Sequence, residues 1–299
     1  MIKENYLKII HQHSPISNIR ISEQEKAVIK KTDLIIWISP YEDFLPEITK
    51  EKRKIILKWE EEIEKYCRTK KILWLTYPSK VDEQFTGLKQ NQLKEIFVNS
   101  LQTSPIVLEK IGKPILDCMI ETKEVKIITG ERNELRLEIK NRRVELETGI
   151  FRPTDSELYL PAGEVCVAPH EAKTTGKILF DHGLWGMKNL CLEFKNGEVI
   201  DYSAEKGEEK FTKLIDVETG NPRTIAEFAF GINPNIKPIG WFLLDEKALN
   251  TIHLAIGENR HLGGMNEAPI HKDFISKSAK VYLDDRLVME NGRLLHTNL

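Results

Sequence analysis

The stretch Lys71-Ile72-Leu73-Trp74-Leu75-Thr76-Tyr77, closed by Pro78, decides how the first half of this chain is read. It is a short, continuous apolar run ended by a helix and strand breaker, the pattern of a strand buried on both faces. A second run of the same kind, Thr32-Asp33-Leu34-Ile35-Ile36-Trp37-Ile38-Ser39, lies upstream. Between them Ile48, Ile55, Trp59, Ile63 and Tyr66 fall at spacings near four or a multiple of it, with Glu and Lys in the gaps, which predicts an amphipathic helix. Strand, helix and strand make a βαβ unit with a parallel crossover. Further on, Leu93, Ile96, Phe97 and Leu101 mark one face of a second helix, and the stretch near 105–120 predicts a third. Residues 1–125 therefore read as an α/β domain. Such a unit often holds a dinucleotide, but the turn after the first strand is Ser39-Pro40-Tyr41-Glu42-Asp43, with no glycine. A phosphate needs close backbone approach and free amides at a helix N-terminus, and Pro40 and two acids oppose both.

The second half has a different composition. Of the 17 glycines three precede residue 149, and after His11 and His13 no histidine occurs before His170. Glycine supplies turns and close backbone approaches, and histidine supplies ligands and acid–base groups, so the chemistry is expected in residues 126–299. That half reads as strand-rich α+β. Leu135, Leu137 and Ile139 alternate with polar residues, Asn196-Gly197 and Asn291-Gly292 signal hairpins, and Glu205 to Leu214 predicts one helix.

Whole-chain arithmetic excludes several partners. With 44 basic against 46 acidic residues the net charge is −2, so there is no global footprint for nucleic acid. No apolar run approaches the ~18 residues that a membrane span needs. Met1-Ile2-Lys3-Glu4-Asn5 opens onto no signal-peptide core. Cys67, Cys118, Cys166 and Cys191 stand far apart with no CxxC pair, as expected of reduced thiols in a cytoplasmic protein.

Four segments carry candidate chemistry. In His271-Lys272-Asp273 the imidazole and the carboxylate sit two apart, on one face of a strand. Glu164 follows the rigid turn Pro161-Ala162-Gly163, and Glu227 is the lone charge in Ile225-Ala226-Glu227-Phe228-Ala229-Phe230-Gly231. His253 is the lone ionisable group in Thr251-Ile252-His253-Leu254-Ala255-Ile256-Gly257. A buried carboxylate must be paired, protonated or metal-bound. Singly, each residue also fits a satisfied core polar group, or for His271 and Asp273 a surface ion pair. Together two Glu, two His and one Asp form a donor set suited to Zn, Co, Mn or Fe(II).

These segments, in this order, resemble the M29 metallo-aminopeptidases, the family of aminopeptidase T and aminopeptidase S. The likeness runs through Leu160-Pro161-Ala162-Gly163-Glu164-Val165 with Ala168-Pro169, and Ala226-Glu227-Phe228-Ala229-Phe230-Gly231-Ile232-Asn233-Pro234. It continues through Asp245-Glu246-Lys247, His253-Leu254-Ala255-Ile256-Gly257, and Gly263-Gly264-Met265-Asn266 leading to His271-Lys272-Asp273. It covers the C-terminal half; the N-terminal half matches in α/β character and is shortened. The resemblance implies a cocatalytic site for two divalent ions (Zn, Co or Mn) on Glu164, Glu227, His253, His271 and Asp273. It further implies that Glu164 or Glu227 bridges the ions or takes a proton, a small peptide as substrate, and a homodimer. Two departures stand out: Arg260 occupies the position of a family tyrosine ligand, with His261 beside it, and the segment between His253 and His271 is short. Two other readings use the same residues. His253, His271 and Asp273 form the two-His, one-carboxylate triad of mononuclear Fe(II) oxygenases, and the family fold resembles that of ring-cleaving dihydroxypyridine dioxygenases. A non-catalytic relative with a degraded site is the third reading. His11 and His13, the charge run Lys50-Glu51-Lys52-Arg53-Lys54 with Glu60-Glu61-Glu62, and Trp37, Trp59 and Trp74 read as structural. His170-Glu171 lies close enough to the site motifs to line a pocket.

Overall fold

The computed structural model describes residues 23–39, 65–67, 69–152, 155–217 and 219–295. The first half holds α1 (Glu23–Lys31), β1 (Leu34–Ser39), β2 (Lys71–Thr76), α2 (Lys80–Thr86), α3 (Gln90–Leu101) and α4 (Pro105–Glu121). Then come β3 (Glu124–Thr129), β4 (Asn133–Glu138), β5 (Val144–Glu147), β6 (Glu157–Leu160), β7 (Glu164–Val167) and β8 (Thr175–Phe180). After them run β9 (Leu190–Lys195), β10 (Glu198–Ser203), α5 (Glu208–Ile215), β11 (Ile225–Gly231), α6 (Phe242–Asp245) and β12 (Thr251–Gly257). The chain ends through β13 (His271–Ser276), β14 (Lys280–Leu283), β15 (Arg286–Glu290) and β16 (Arg293–Leu294).

The two runs that opened the reading pair in parallel, Leu34 beside Lys71 through Ser39 beside Thr76. The crossover pattern Ile48 to Ile63 lies outside the described residues, as do His11, His13, Trp59 and the charge run of 50–62. Trp37 and Trp74 pack on each other at 5.4 Å between ring centroids, and Trp74 stacks on Tyr159. Tyr159 belongs to β6, which joins this sheet parallel to β2 from far along the chain. Local signals place the helices. Ser79 caps α2 and Ser104 caps α4, each accepting from an amide two residues on, and Pro105 opens α4 where its missing N–H costs nothing. The fifth helix begins at Glu208, later than the Glu205 of the sequence reading, because Gly207 holds a left-handed conformation before it.

Two antiparallel sheets carry the second half, an eight-stranded one in the order β10-β9-β8-β4-β3-β14-β15-β16 and a five-stranded one in the order β13-β12-β11-β7-β5. Both Asn-Gly hairpins form, with Asn196, Gly197, Asn291 and Gly292 all at positive φ, as the tight turn requires. The strands β7, β11 and β12 are buried at every position, so each hides both of its faces. Phe228, Phe230, Ile252, Leu254 and Phe274 line one face and share a single core with Phe180 of β8, Phe211 of α5 and Leu108 of α4. That helix lies close on the sheet: a side chain at Gly112 would overlap Leu146 and Ile232. The opposite face of the same five strands is polar.

Candidate metal centre

Register decides which side chains share that polar face. Glu145, Cys166, Ala229 and His253 stand in one row across β5, β7, β11 and β12; Glu147, Glu164 and Gly231 form the next. On the other side come Glu227, Ala255 and Asp273, then Gly257 and His271. Because a strand alternates, Lys272 between His271 and Asp273 points the other way, buried with its ammonium over the Trp185 ring. The small residues Ala229, Gly231 and Ala255 leave space in the middle of the face for the long polar chains around them.

The five residues singled out in the sequence converge there. The Nε2 of His253 lies 3.4 Å from Glu164 Oε2, 3.5 Å from Glu227 Oε1 and 3.9 Å from Asp273 Oδ1. The Nε2 of His271 lies 3.1 Å from Glu227 Oε2 and 3.6 Å from Asp273 Oδ1. Two three-residue groups, Glu164–Glu227–His253 and Glu227–His261–His271, have their donor atoms within 4.8 Å of one another. Glu227 is common to both. The first group is wholly buried and the second rises to the surface, His271 and His261 being 24% and 39% exposed. Glu164 Oε2 and Asp273 Oδ1 are buried with no hydrogen-bond partner. Carboxylate oxygens in that condition are costly unless a cation meets them. Nitrogen and oxygen donors of this kind suit a divalent ion.

Turn chemistry delivers the ligands. Gly163 precedes Glu164 at φ +138°, and a Cβ there would lie 2.7 Å from the Asn233 Cβ. Buried Asn233 clamps the turn, donating to Ala162 O at 2.8 Å and Ser100 O at 3.2 Å, and accepting from Thr103. On β11, Gly231 admits the backbone of Glu246 and Ala248 where any side chain would strike it. This brings Glu246 and Lys247 over the face. The carbonyl of Glu246 meets His253 Nδ1 at 3.2 Å, which leaves Nε2 facing the carboxylates. Lys247 inserts its ammonium among Glu164, Glu147 at 3.4 Å and Glu246 at 3.5 Å. Glu145, Glu147, Glu246 and Lys247 were not picked out from the sequence as site residues. Glu145-Leu146-Glu147 does carry the period-two signal of a strand with one acidic face. His170 bonds the Lys140 carbonyl, and Glu171 pairs with Arg142 and holds Asn259 and Met265, so this dipeptide braces the nearby loop.

The electrostatics follow from burial opposed by neighbours. Burial first, and then the neighbouring carboxylates (Glu164 for Glu147, Asp273 for Glu246), lift Glu147 and Glu246 to about 8, with Lys247 opposing in both. Burial pushes His253 down, but its hydrogen bond to Glu227 and the charges of Glu164, Glu227 and Asp273 outweigh it and raise it to about 9. His271 rises likewise, against burial, through Asp273 and Glu227. Burial favours the neutral form of Glu227, and the two histidines overcome it, holding Glu227 well below the usual carboxylate range. Groups raised on folding stabilise the fold below their unfolded pKa and lose that contribution as pH climbs through the folded one. Metal-free protein is therefore expected to lose stability steadily from pH 5 to pH 8. Thermal melts in a chelator across that window check this; a midpoint that stays level or rises contradicts it.

The donor chemistry on this face is that of a divalent-metal site in a mixed α/β fold. The chain belongs to the M29 family: the family model described as Thermophilic metalloprotease (M29) matches residues 120–293. It is similar to aminopeptidase T of Thermus aquaticus, 32% identical over 156 residues, which is 44% of this chain and 37% of that protein. Aminopeptidase 2 of Geobacillus stearothermophilus is 29% identical over 151 residues, 42% of this chain and 35% of the relative. In sequence the chain thus spans little more than a third of the length of these relatives. In fold it is similar to wild-type AmpT from Thermus thermophilus, with TM-score 0.66 and 20% identity over 90% of this chain and 78% of that one. It is also similar to 2,5-dihydroxypyridine dioxygenase from Pseudomonas putida, with TM-score 0.63 and 14% identity over 91% of this chain and 74% of that one. No helix among the described residues is long and apolar enough to cross a membrane.

Proposed function

We propose that this chain is a metal-dependent aminopeptidase that removes N-terminal residues from small peptides at a site for two divalent ions, Zn, Co or Mn. One observation carries the reading: Glu227 is shared by two donor groups, one buried and one open to solvent. A single-ion triad of His253, His271 and Asp273 gives no reason for Glu164 and Glu227 to crowd the same imidazoles. In this reading Glu164, Glu227 and His253 hold the inner ion, and Glu227, His271 and Asp273 face the outer one. Bound ions supply Lewis acidity, polarising a carbonyl and making a water acidic at neutral pH.

The chain's own residues do the rest. Glu227, kept ionised by both histidines, is the carboxylate that both ions would have in common. Glu164 has one oxygen fixed by Lys247 and the other without a hydrogen bond, so that second oxygen is the one it would give to the inner ion. The carboxylate-rich face favours a substrate's free α-ammonium over an internal peptide bond, which is the selectivity of an exopeptidase. Residues 126–299 carry the centre and residues 1–125 the supporting domain, in a homodimer as the resemblance implies and in the cytoplasm as the scattered cysteines suggest.

The test is hydrolysis of an aminoacyl-arylamide by Zn- or Co-loaded protein. Turnover is expected in the wild type and loss of it in His271→Ala; equal rates in the two sink the proposal. Structural likeness to a dioxygenase motivates the second reading, an Fe(II) enzyme. One iron atom per chain under anaerobic loading, with no amide hydrolysis, favours that reading instead.

A further inference from the structure

The loop from Glu258 to Asn266 is built with more care than a surface connection needs. Buried Asn259 accepts from the Asn266 amide at 2.8 Å and donates to Glu171 at 3.1 Å, and Glu171 also receives the Met265 amide at 2.7 Å. The adjacent Gly264 has no room for a side chain because the Asn259 amide fills it. Between these anchors Arg260–Leu262 makes a 3₁₀ turn whose Leu262 plugs into a small apolar patch of Cys166, Ala168 and Ala229 on the polar face of the sheet. Pinned on both sides, the turn holds His261 over the outer edge of the centre.

Glu258 then orients two imidazoles at once. Its carboxylate lies 2.7 Å from His261 Nδ1, and its backbone carbonyl lies 2.6 Å from His271 Nδ1. Both oxygens can only accept here, so each imidazole donates from Nδ1 and keeps Nε2 as its ligand atom. A carboxylate or carbonyl behind an imidazole is the usual outer partner of a metal-bound histidine. The two rings meet edge to face at 4.9 Å. Arg260, the neighbouring residue, turns instead to Glu258 at 3.1 Å and to Glu267 at 3.5 Å.

We propose that His261 is a direct ligand of the outer ion, completing a Glu227–His261–His271 group, and that Glu258 is the positioning residue that sets both histidines. This rests on the metal-centre reading and adds a ligand to it. It gives the outer ion a protein donor beyond Glu227, His271 and Asp273, at the solvent-facing mouth, on a residue whose removal leaves the buried core intact.

The experiment counts ions rather than turnovers. Wild type, His261→Ala, Glu258→Gln and Arg260→Ala are dialysed against Zn(II) or Co(II), with bound metal measured per chain and the Co(II) visible spectrum recorded. The wild type is expected to bind two ions. His261→Ala is expected to keep the inner ion and bind the outer one at least roughly 100-fold more weakly, with a changed Co(II) spectrum; Glu258→Gln should weaken it roughly 10- to 100-fold, as loss of an outer-shell partner does. Arg260→Ala should match the wild type. If His261→Ala binds as many ions as the wild type with the same affinity and spectrum, the proposal is overturned while the metal-centre reading stands. If the wild type itself binds no divalent ion, that reading is overturned and this proposal with it.

Discussion

Glu227→Gln is expected to abolish aminoacyl-arylamide turnover and to empty both ion positions together. The substitution keeps the shape of the side chain and removes the one charge that both donor groups share. Lewis-acid stabilisation amounts to several kcal/mol, and each 1.36 kcal/mol is tenfold in rate. The expected loss in kcat/KM is thus on the order of 10³-fold, which excess metal does not repair. The same change frees His253 and His271 from the hydrogen bonds that Glu227 accepts, so both imidazoles should titrate lower in the metal-free variant. Two measurements check it: metal content after dialysis, and the histidine ring signals across pH. Glu164→Gln is the comparison, because Glu164 belongs only to the inner group. A Glu227→Gln protein that holds two ions and turns over within tenfold of the wild type rules out the shared-carboxylate arrangement.

What the sequence made legible, and what it hid, follows from how each residue differs from its neighbours. Glu227 and His253 stood out because each is the lone ionisable group in an apolar run, and such a group can only face a partner inside the protein. His271 and Asp273 stood out through the period of two. The parallel pairing of β1 with β2 and both Asn-Gly hairpins were readable for the same reason: local pattern dictates local geometry. The hidden parts depend on distant contacts. Strand β6, with the mixed sequence Glu157-Leu158-Tyr159-Leu160, joins a sheet whose other strands lie far upstream, and nothing local announces that pairing. Asp245-Glu246-Lys247 is one of the stretches that carry the family likeness, but nothing local places it over the centre; the missing side chain at Gly231 lets it drop onto the sheet. His261 stands in sequence beside the position of the family tyrosine ligand, but it is the Leu262 anchor and the Asn259–Glu171 brace that aim it inward. His182 shows the converse. Its Nε2 lies 2.6 Å from buried Asp245, which also receives the Ile239 and Gly240 amides, so this pair fixes the turn before Glu246 and lies outside the donor groups.

Lys247→Met is expected to produce the largest loss of stability. The Lys247 ammonium is about nine-tenths buried and is the cation for Glu147, Glu164 and Glu246 on the polar face. Removing one partner from a buried ionic cluster costs about 3–5 kcal/mol, because the charges left behind can neither reach water nor pair. At about 2–4 °C per kcal/mol for a large domain, the metal-free variant should melt roughly 6–20 °C below the wild type. The deficit has a predictable pH dependence. Glu147 and Glu246 titrate near 8 in the wild type, so in acid they are neutral and need no cation, whereas at pH 8 they compete for one. The gap between variant and wild type should therefore widen from pH 5 to pH 8. A divalent ion bound by the folded state alone adds stability according to its affinity. With the competing ammonium gone, that ion meets a more negative face, so added Zn(II) should raise the melting point of Lys247→Met by more than it raises that of the wild type. A variant that melts within about 2 °C of the wild type at pH 8 in chelator would show that Lys247 does not neutralise this face. A variant destabilised equally at pH 5 and pH 8, with no extra gain from metal, would mean that packing of the lysine stem, and not its charge, holds the turn over the centre.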